Sequence, residues 1–250
     1  MTELDGLVAL VTGGSRGLGA EVAATLADAG AAVAISYVAS ESRAAAVVDA
    51  IRERGGRAIA VRSDQSDPAA AASLVDAVVD EFGRLDILVN NAAITVQGQS
   101  IDDPELDVAA LDEMWATNVL GVIATTRAAA ARISDSGRIV FIGSVIAARV
   151  AFAGVADYAG TKSAIAGYAK GVARDLGPRR ITVNVVQPGI MPTDMAAQVA
   201  HNESDETMNL HAIRRKASLE EVAATVRFLA GPDAGYITGS LIDMAGGFQI

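Results

Sequence analysis

The sequence predicts an α/β fold, one doubly wound parallel sheet with helices on both faces, and three observations predict it. Short β-branched runs alternate with alanine-rich stretches of helical period along the chain. The runs are almost continuously apolar, as in strands buried on both faces of a parallel sheet. The first of them passes into a helix through a cluster of glycines.

In order, "LVALVT" (7–12) reads as a strand and 18–29 as an amphipathic helix. "AAVAIS" (31–36) and a helix over 41–54 follow, then "RAIAVRSD" (57–64) and a helix over 68–82. "LDILVNNA" (85–92) leads to a long helix over 107–133, and "GRIVFIGS" (137–144) to a helix over 157–176. "ITVNVVQPG" (181–189) ends in a Pro-Gly turn, 219–230 is the last helix, and "SLIDMAG" (240–246) adds a final strand. Right-handed crossovers would join these units. With no internal repeat, low-complexity linker or composition break, residues 1–250 read as a single domain. The segment 190–216 departs from the rhythm: it is polar and long for a connection, which suggests a substrate lid.

A formal charge of −10 without a basic stripe argues against nucleic-acid binding. The absence of cysteine excludes disulfides and thiol chemistry. His201 and His211 share the polar segment 190–216, where they read as surface residues, and no metal site is expected. The acidic start "MTELDGLVALVTGG" lacks the basic region of a signal peptide. No apolar run reaches the roughly 18–20 residues that span a bilayer. The expectation is a soluble cytoplasmic protein acting away from membranes.

Chemistry first shows in "LVALVTGGSRGLGAEVAATLADAG". Gly13, Gly17 and Gly19, spaced G-x-x-x-G-x-G, permit positive φ and let backbone approach a pyrophosphate at a helix N-terminus. The sheet is therefore expected to be of Rossmann type. At the end of the second strand a carboxylate would select a ribose hydroxyl, but Ser36 stands there, and Glu41 comes several residues late. Arg16 and Arg43 are available cations, which favours NADP(H), with NAD(H) possible.

"TGGSRGLG" (12–19), "NNAA" (90–93), Asn118, Ser144, "YAGTK" (158–162) and "PGIMPTDM" (188–195) occur in an order and spacing that resemble the short-chain dehydrogenase/reductase family across essentially the whole chain. The nearest likeness is to its 3-oxoacyl-thioester (acyl-carrier-protein) reductase branch. Helical period puts Tyr158 and Lys162 on one face, one turn apart. A neighbouring ammonium favours the phenolate, and bringing a tyrosine from ~10 to near ~7 takes roughly 4 kcal/mol, so Lys162 and an oxidised nicotinamide would share the work.

The resemblance implies Tyr158 as general acid or base, Ser144 as the group steadying the substrate carbonyl, and Asn118 holding a water in a proton relay through Lys162. It implies a cofactor set of Gly13, Ser15, Arg16, Gly17, Leu18 and Gly19 in the turn, with Ser36, Gln65, Tyr158 and Lys162. Asp64 would face the adenine amino group, Asn90 and Ala92 would line the cleft, and Thr193 would touch the carboxamide beside Pro188 and Gly189. Ala93 stands where the family has glycine. Of two arginines that dock an acyl carrier protein in the thioester branch, Arg174 matches one, whereas the other position is Ala131 with Arg132 beside it. A carrier-protein partner is therefore weakly supported.

The alanine- and glycine-rich helices 107–133 and 157–176 are similar to the family's dimer interface, and the C-terminal pattern to one completing a homotetramer. The resulting expectation is an NADPH-dependent enzyme reducing a ketone to a secondary alcohol, a 3-oxoacyl thioester in the first instance. A small ketone, diketone or alcohol is the alternative, and a nucleotide sensor without catalysis a further one. Ile94, Ile146, Ala147, Val150, Phe152, Met191 and Met195 are candidates for an apolar substrate pocket.

Overall fold

A computed structural model describes residues 2–199 and 204–250. Seven parallel strands form one sheet: β1 (Val8–Val11), β2 (Ala32–Tyr37), β3 (Ala58–Arg62), β4 (Leu85–Asn90), β5 (Ile133–Ile142), β6 (Thr182–Pro188) and β7 (Leu241–Met244). Their spatial order is β3-β2-β1-β4-β5-β6-β7. Strand β1 is flanked by β2 and by β4, so the chain changes direction across the sheet there. Open α/β sheets leave a crevice at such a switch point, beyond the carboxyl ends of the strands.

The continuous apolar runs are explained by two cores, one on each face. Along β1, Ala9 and Val11 point into one core and Val8 and Leu10 into the other, as the two-residue period of a strand requires. On the first face, α1 (Gly17–Asp28) and α9 (Leu219–Ala230) contribute Val22, Leu26, Val222 and Leu229. On the second, α3 (Ala70–Phe82), α5 (Val122–Arg132) and α6 (Ala156–Leu176) contribute Leu74, Val78, Val122 and Ile165 against Leu88 and Phe141. Helix α9 begins at a capping box in which Glu221 N donates to Ser218 Oγ (3.2 Å) and Ser218 N to the Glu221 carboxylate (2.9 Å). Helix α2 (Glu41–Glu53) follows β2 as expected.

Two elements differ from the sequence reading. Strand β5 starts at Ile133 and not at the expected 137, pairing with Leu85 before a register shift and following directly on the helix that ends at Arg132. That helix is also not continuous. It consists of α4 (Val108–Trp115), a π-helical turn (Ala116–Gly121) and α5. A tertiary contact accompanies the widened turn: a Cβ on Gly121 would lie 1.7 Å from the Gln65 carbonyl oxygen. No helical propensity encodes that contact, and π-turns of this kind concentrate at functional sites. Between β6 and α9 the described residues include two short helices, α7 (Asp194–Ala197) and α8 (Asp205–Asn209).

Candidate active site

The glycine turn is held by hydrogen bonds from neighbouring strands. Thr12 Oγ1 accepts from Asn91 N and Ala92 N, both at 3.0 Å. The Asn91 amide donates to the carbonyls of Thr12 (2.9 Å) and Gly13 (3.2 Å). Gly13 N donates to Ser36 Oγ at 3.2 Å. Gly13 (φ +66°) and Gly17 (φ +53°) adopt left-handed backbone. Space is equally restrictive at Gly19, where a Cβ would come within 2.4 Å of the Gly13 carbonyl oxygen. The turn delivers the N-terminus of α1, whose N-cap residue Arg16 supplies no side-chain cap. First-turn N–H groups without a cap suit an anion.

The expected cofactor residues are thus divided between surface and support. Ser36 is buried and props the turn through its hydroxyl. Leu18 is buried in the core, so only its backbone can face a ligand. Ser15 and Gly17 are half-buried at the turn, and Ala92 closes against it. The Asn90 amide donates to Thr126 Oγ1 (3.1 Å), toward α5, and its buried Oδ1 has no partner. Gln65 is buried and reaches Thr125 Oγ1 at 3.4 Å, while Asp64 stays exposed. Hydrogen bonds from the Ser66 hydroxyl and backbone hold the Asp64 carboxyl below its ordinary range. Arg16 and Arg43 converge on Asp194 Oδ2, at 3.0 and 3.3 Å. Pro188 ends β6, Gly189 N donates to Met244 O (3.1 Å), and Thr193 caps α7 by accepting from Ala196 N at 3.1 Å.

Ser144 lies just beyond β5, and Tyr158 and Lys162 lie on α6. Ser144 Oγ accepts from Ile146 N (3.4 Å), and its hydroxyl is hydrogen-bonded to the Tyr158 side chain. Lys162 is buried, its Nζ donating to Ile142 O at 3.2 Å and lying 5.8 Å from the Tyr158 ring centre. The π-turn places Asn118 beside Thr161, but its carboxamide is committed to Ile94. Oδ1 accepts from Ile94 N and Nδ2 donates to Ile94 O, each at 2.9 Å. The Asn118 side chain is thus held within the fold, where the π-turn widens the backbone.

Without the nicotinamide charge that the expectation includes, Tyr158 shifts upward. Burial pushes its pKa up to about 12, with the Ser144 hydroxyl opposing, and burial lowers Lys162 to about 8. Desolvation disfavours both charged forms and outweighs their attraction in the ligand-free protein. Phenol and ammonium are therefore the prevailing forms near neutrality, which suits proton donation.

Ser144 and Tyr158 open onto a cavity of about 130 Å³. Ile146, Phe152, Met191 and Met195 line it as anticipated, whereas Val150 is 55% exposed and outside it. Ile94 and Ala147 are not among its walls. His211 corrects the reading as a surface residue: it is buried, at 5% exposure, in the cavity wall. His201 lies outside the described residues. Thr95, Gln97 and Phe248 also line the cavity, and Thr12 and Asn91 brace the turn, without having been singled out in the sequence. The doubled asparagine of "NNAA" was a usable signal for Asn91; nothing local marks the others.

The glycine cradle, the uncapped helix end and the cavity beyond β4–β6 fit a nicotinamide dinucleotide. Fold and site together define an oxidoreductase acting on CH–OH and C=O groups. A family model described as enoyl-(acyl carrier protein) reductase matches residues 13–249. A short-chain dehydrogenase/reductase from Serratia marcescens is 48% identical, with TM-score 0.94, over 99% of this chain and 100% of that one. A short-chain dehydrogenase from Burkholderia cenocepacia, solved in complex with NADP, is 46% identical with TM-score 0.94, over 99% and 100% of the two chains. The 3-oxoacyl-[acyl-carrier-protein] reductase of Synechocystis is 38% identical, over 99% of this chain and 98% of that protein. The chain belongs to the short-chain dehydrogenase/reductase family.

Proposed function

We propose that the protein reduces a ketone to a secondary alcohol with NADPH. The observation that carries this reading is the convergence of Ser144 and Tyr158 on one cavity, with Lys162 buried behind the phenol ring. Arg16 and Arg43, close enough to share one carboxylate, could pair with a 2′-phosphate, and the Burkholderia relative was solved with NADP. The first-turn N–H groups of α1 and backbone around Gly13 and Ala92 would hold the dinucleotide, and Thr193 and Gly189 would border its nicotinamide end.

When bound, the cofactor supplies the hydride that reaches the carbonyl carbon. Ser144 O–H donates to the carbonyl oxygen and fixes its position. Tyr158 gives its phenolic proton to that oxygen as negative charge develops there. The Lys162 ammonium offsets the phenolate left behind, which burial alone would make costly. Segment 190–216 contributes Met191, Met195, Thr207 and His211 to the cavity wall, consistent with a cover over the substrate.

No Asp, Glu, Lys or Arg lines the cavity among the described residues, which favours a neutral ketone. A 3-oxoacyl thioester is the second reading, supported by the Synechocystis relative's printed activity. Carrier-protein docking has less support, because Arg132 is committed to Asp76. The helices α5 and α6 suit a homotetramer: Cβ atoms at Gly167 and Gly171 would meet nothing, and Leu120, in the π-turn before α5, is 55% exposed. Consumption of NADPH with a panel of neutral ketones and a short 3-oxoacyl-CoA, in wild type and Tyr158→Phe, tests the proposal. Loss of turnover in the variant supports it, and equal turnover in both removes Tyr158 as proton donor.

A further inference from the structure

We infer that His211 is a specificity-determining residue whose Nε2 accepts a hydrogen bond from a hydroxyl group carried by the ketone away from its carbonyl. The inference rests on the reductase reading, because it assigns one wall of the same cavity. His211 Nδ1 lies 2.9 Å from the Thr207 carbonyl oxygen. A carbonyl oxygen only accepts, so Nδ1 carries the proton, and in the neutral ring Nε2 is left with a lone pair.

That nitrogen has no hydrogen-bond partner among the described residues, although the residue is only 5% exposed. It is not one of the fully buried unpaired atoms, and in a residue that lines the cavity its lone pair is open to a ligand hydroxyl. The ring is held in place from the other side. Phe248 packs against it with ring centres 5.1 Å apart, and Arg149 stacks on Phe248 while donating to the Phe248 carbonyl. Behind it, Gly246 (φ +57°) would bring a Cβ within 3.8 Å of His211 Cδ2. The imidazole therefore has a fixed orientation in a wall that also holds Tyr158 and Ser144.

The absence of Asp, Glu, Lys and Arg from that wall among the described residues makes a neutral hydroxyl a better match than a charged group. Ser144 and Tyr158 claim the carbonyl oxygen at one place in the cavity. His211 would claim the hydroxyl at another, so that a hydroxyketone is held at two points and a simple ketone at one.

The test compares 1-tetralone with its 5-, 6- and 7-hydroxy derivatives. Affinity is measured by calorimetry in the presence of NADP+, and turnover with NADPH, for wild type, His211→Phe and His211→Gln. Phenylalanine keeps an aromatic ring against Phe248 without the acceptor, and glutamine restores an acceptor oxygen. The expected result is that wild type binds one hydroxylated isomer about tenfold more tightly than tetralone itself. His211→Phe should bring that ratio to about one, through KM and not kcat, and His211→Gln should recover part of it. No preference for any isomer in wild type, or a preference that survives in His211→Phe, would overturn the inference. A preference that vanishes in His211→Phe without NADPH consumption by any variant would uphold it and remove the reductase reading instead.

Discussion

At the glycine turn the cleft is walled by backbone, and around Tyr158 by side chains. Thr12, Gly13, Asn91 and Ala92 follow the adjacent strands β1 and β4, and the bonds among them involve main-chain atoms. The cavity beside Tyr158 instead gathers Thr95, Ser144, Tyr158, Met191, His211 and Phe248 from segments scattered over the chain. A cradle walled by backbone depends on small residues where main chains approach closely, so glycines mark it. A side-chain-built cavity depends on which residues folding brings together, and its polar groups can be retuned without disturbing the sheet. The comparison predicts that substitutions at one end affect cofactor binding and those at the other affect turnover.

The largest effect is expected at Tyr158. Tyr158→Phe should lower kcat by about 10³-fold or more while leaving NADPH affinity within about threefold, as the proton donor is lost but the cradle is intact. Stopped-flow turnover and fluorescence titration of NADPH would read the two separately, and a parallel loss of binding would break the distinction. Ser144→Ala should cost roughly 10²-fold in kcat, the scale for removing one donor to a developing oxyanion.

Gly19→Ala sharpens the contrast from the other end. Its Cβ would meet the Gly13 carbonyl oxygen at 2.4 Å, so the turn must shift. The expected outcome is NADPH affinity weakened at least about tenfold, with stability lower by about 1–3 kcal/mol in urea unfolding. Wild-type affinity in this variant would show that the turn is less constrained than its contacts imply.

A smaller effect should follow pH. Lys162, lowered to about 8 by burial, is an ammonium below that value and a neutral amine above it. Tyr158, raised to about 12, keeps its proton throughout this range. Ketone reduction should therefore decline as pH rises through about 8, when the charge that offsets the nascent phenolate is lost. The folded protein binds fewer protons here than the unfolded chain between about 8 and the ordinary lysine value of ~10.4, so this group adds stability as pH rises across that window. A Lys162 13Cε resonance titrating near 10 would contradict the desolvation argument.

The smallest effect is expected at Asp194, which joins the two ends by pairing with Arg16 and Arg43. All three side chains are more than half exposed, so Asp194→Asn should change stability by less than about 1 kcal/mol. Freed guanidinium groups should raise NADPH affinity a few-fold at low salt, and the gain should fade as salt screens it.

Much of this molecule follows from local pattern. The two-residue apolar period and the glycine spacing determine strands, sheet class and cofactor cradle, since each reflects forces among residues close in sequence or repeated along it. The four-residue spacing of Tyr158 and Lys162 likewise determines that they share a helix face. Other features arise only in three dimensions. The π-turn at Asn118 accompanies the Gln65 carbonyl against Gly121, a partner more than fifty residues away. The upward shift of Tyr158 comes from burial, which its neighbours in sequence do not specify. His211, in a polar stretch that reads as surface, is buried because Phe248 and Gly246 close over it from the end of the chain. Local propensity and period determined the scaffold and its reactive pair. Desolvation and contacts between distant segments, which exist only after folding, decided protonation and the shape of the substrate cavity.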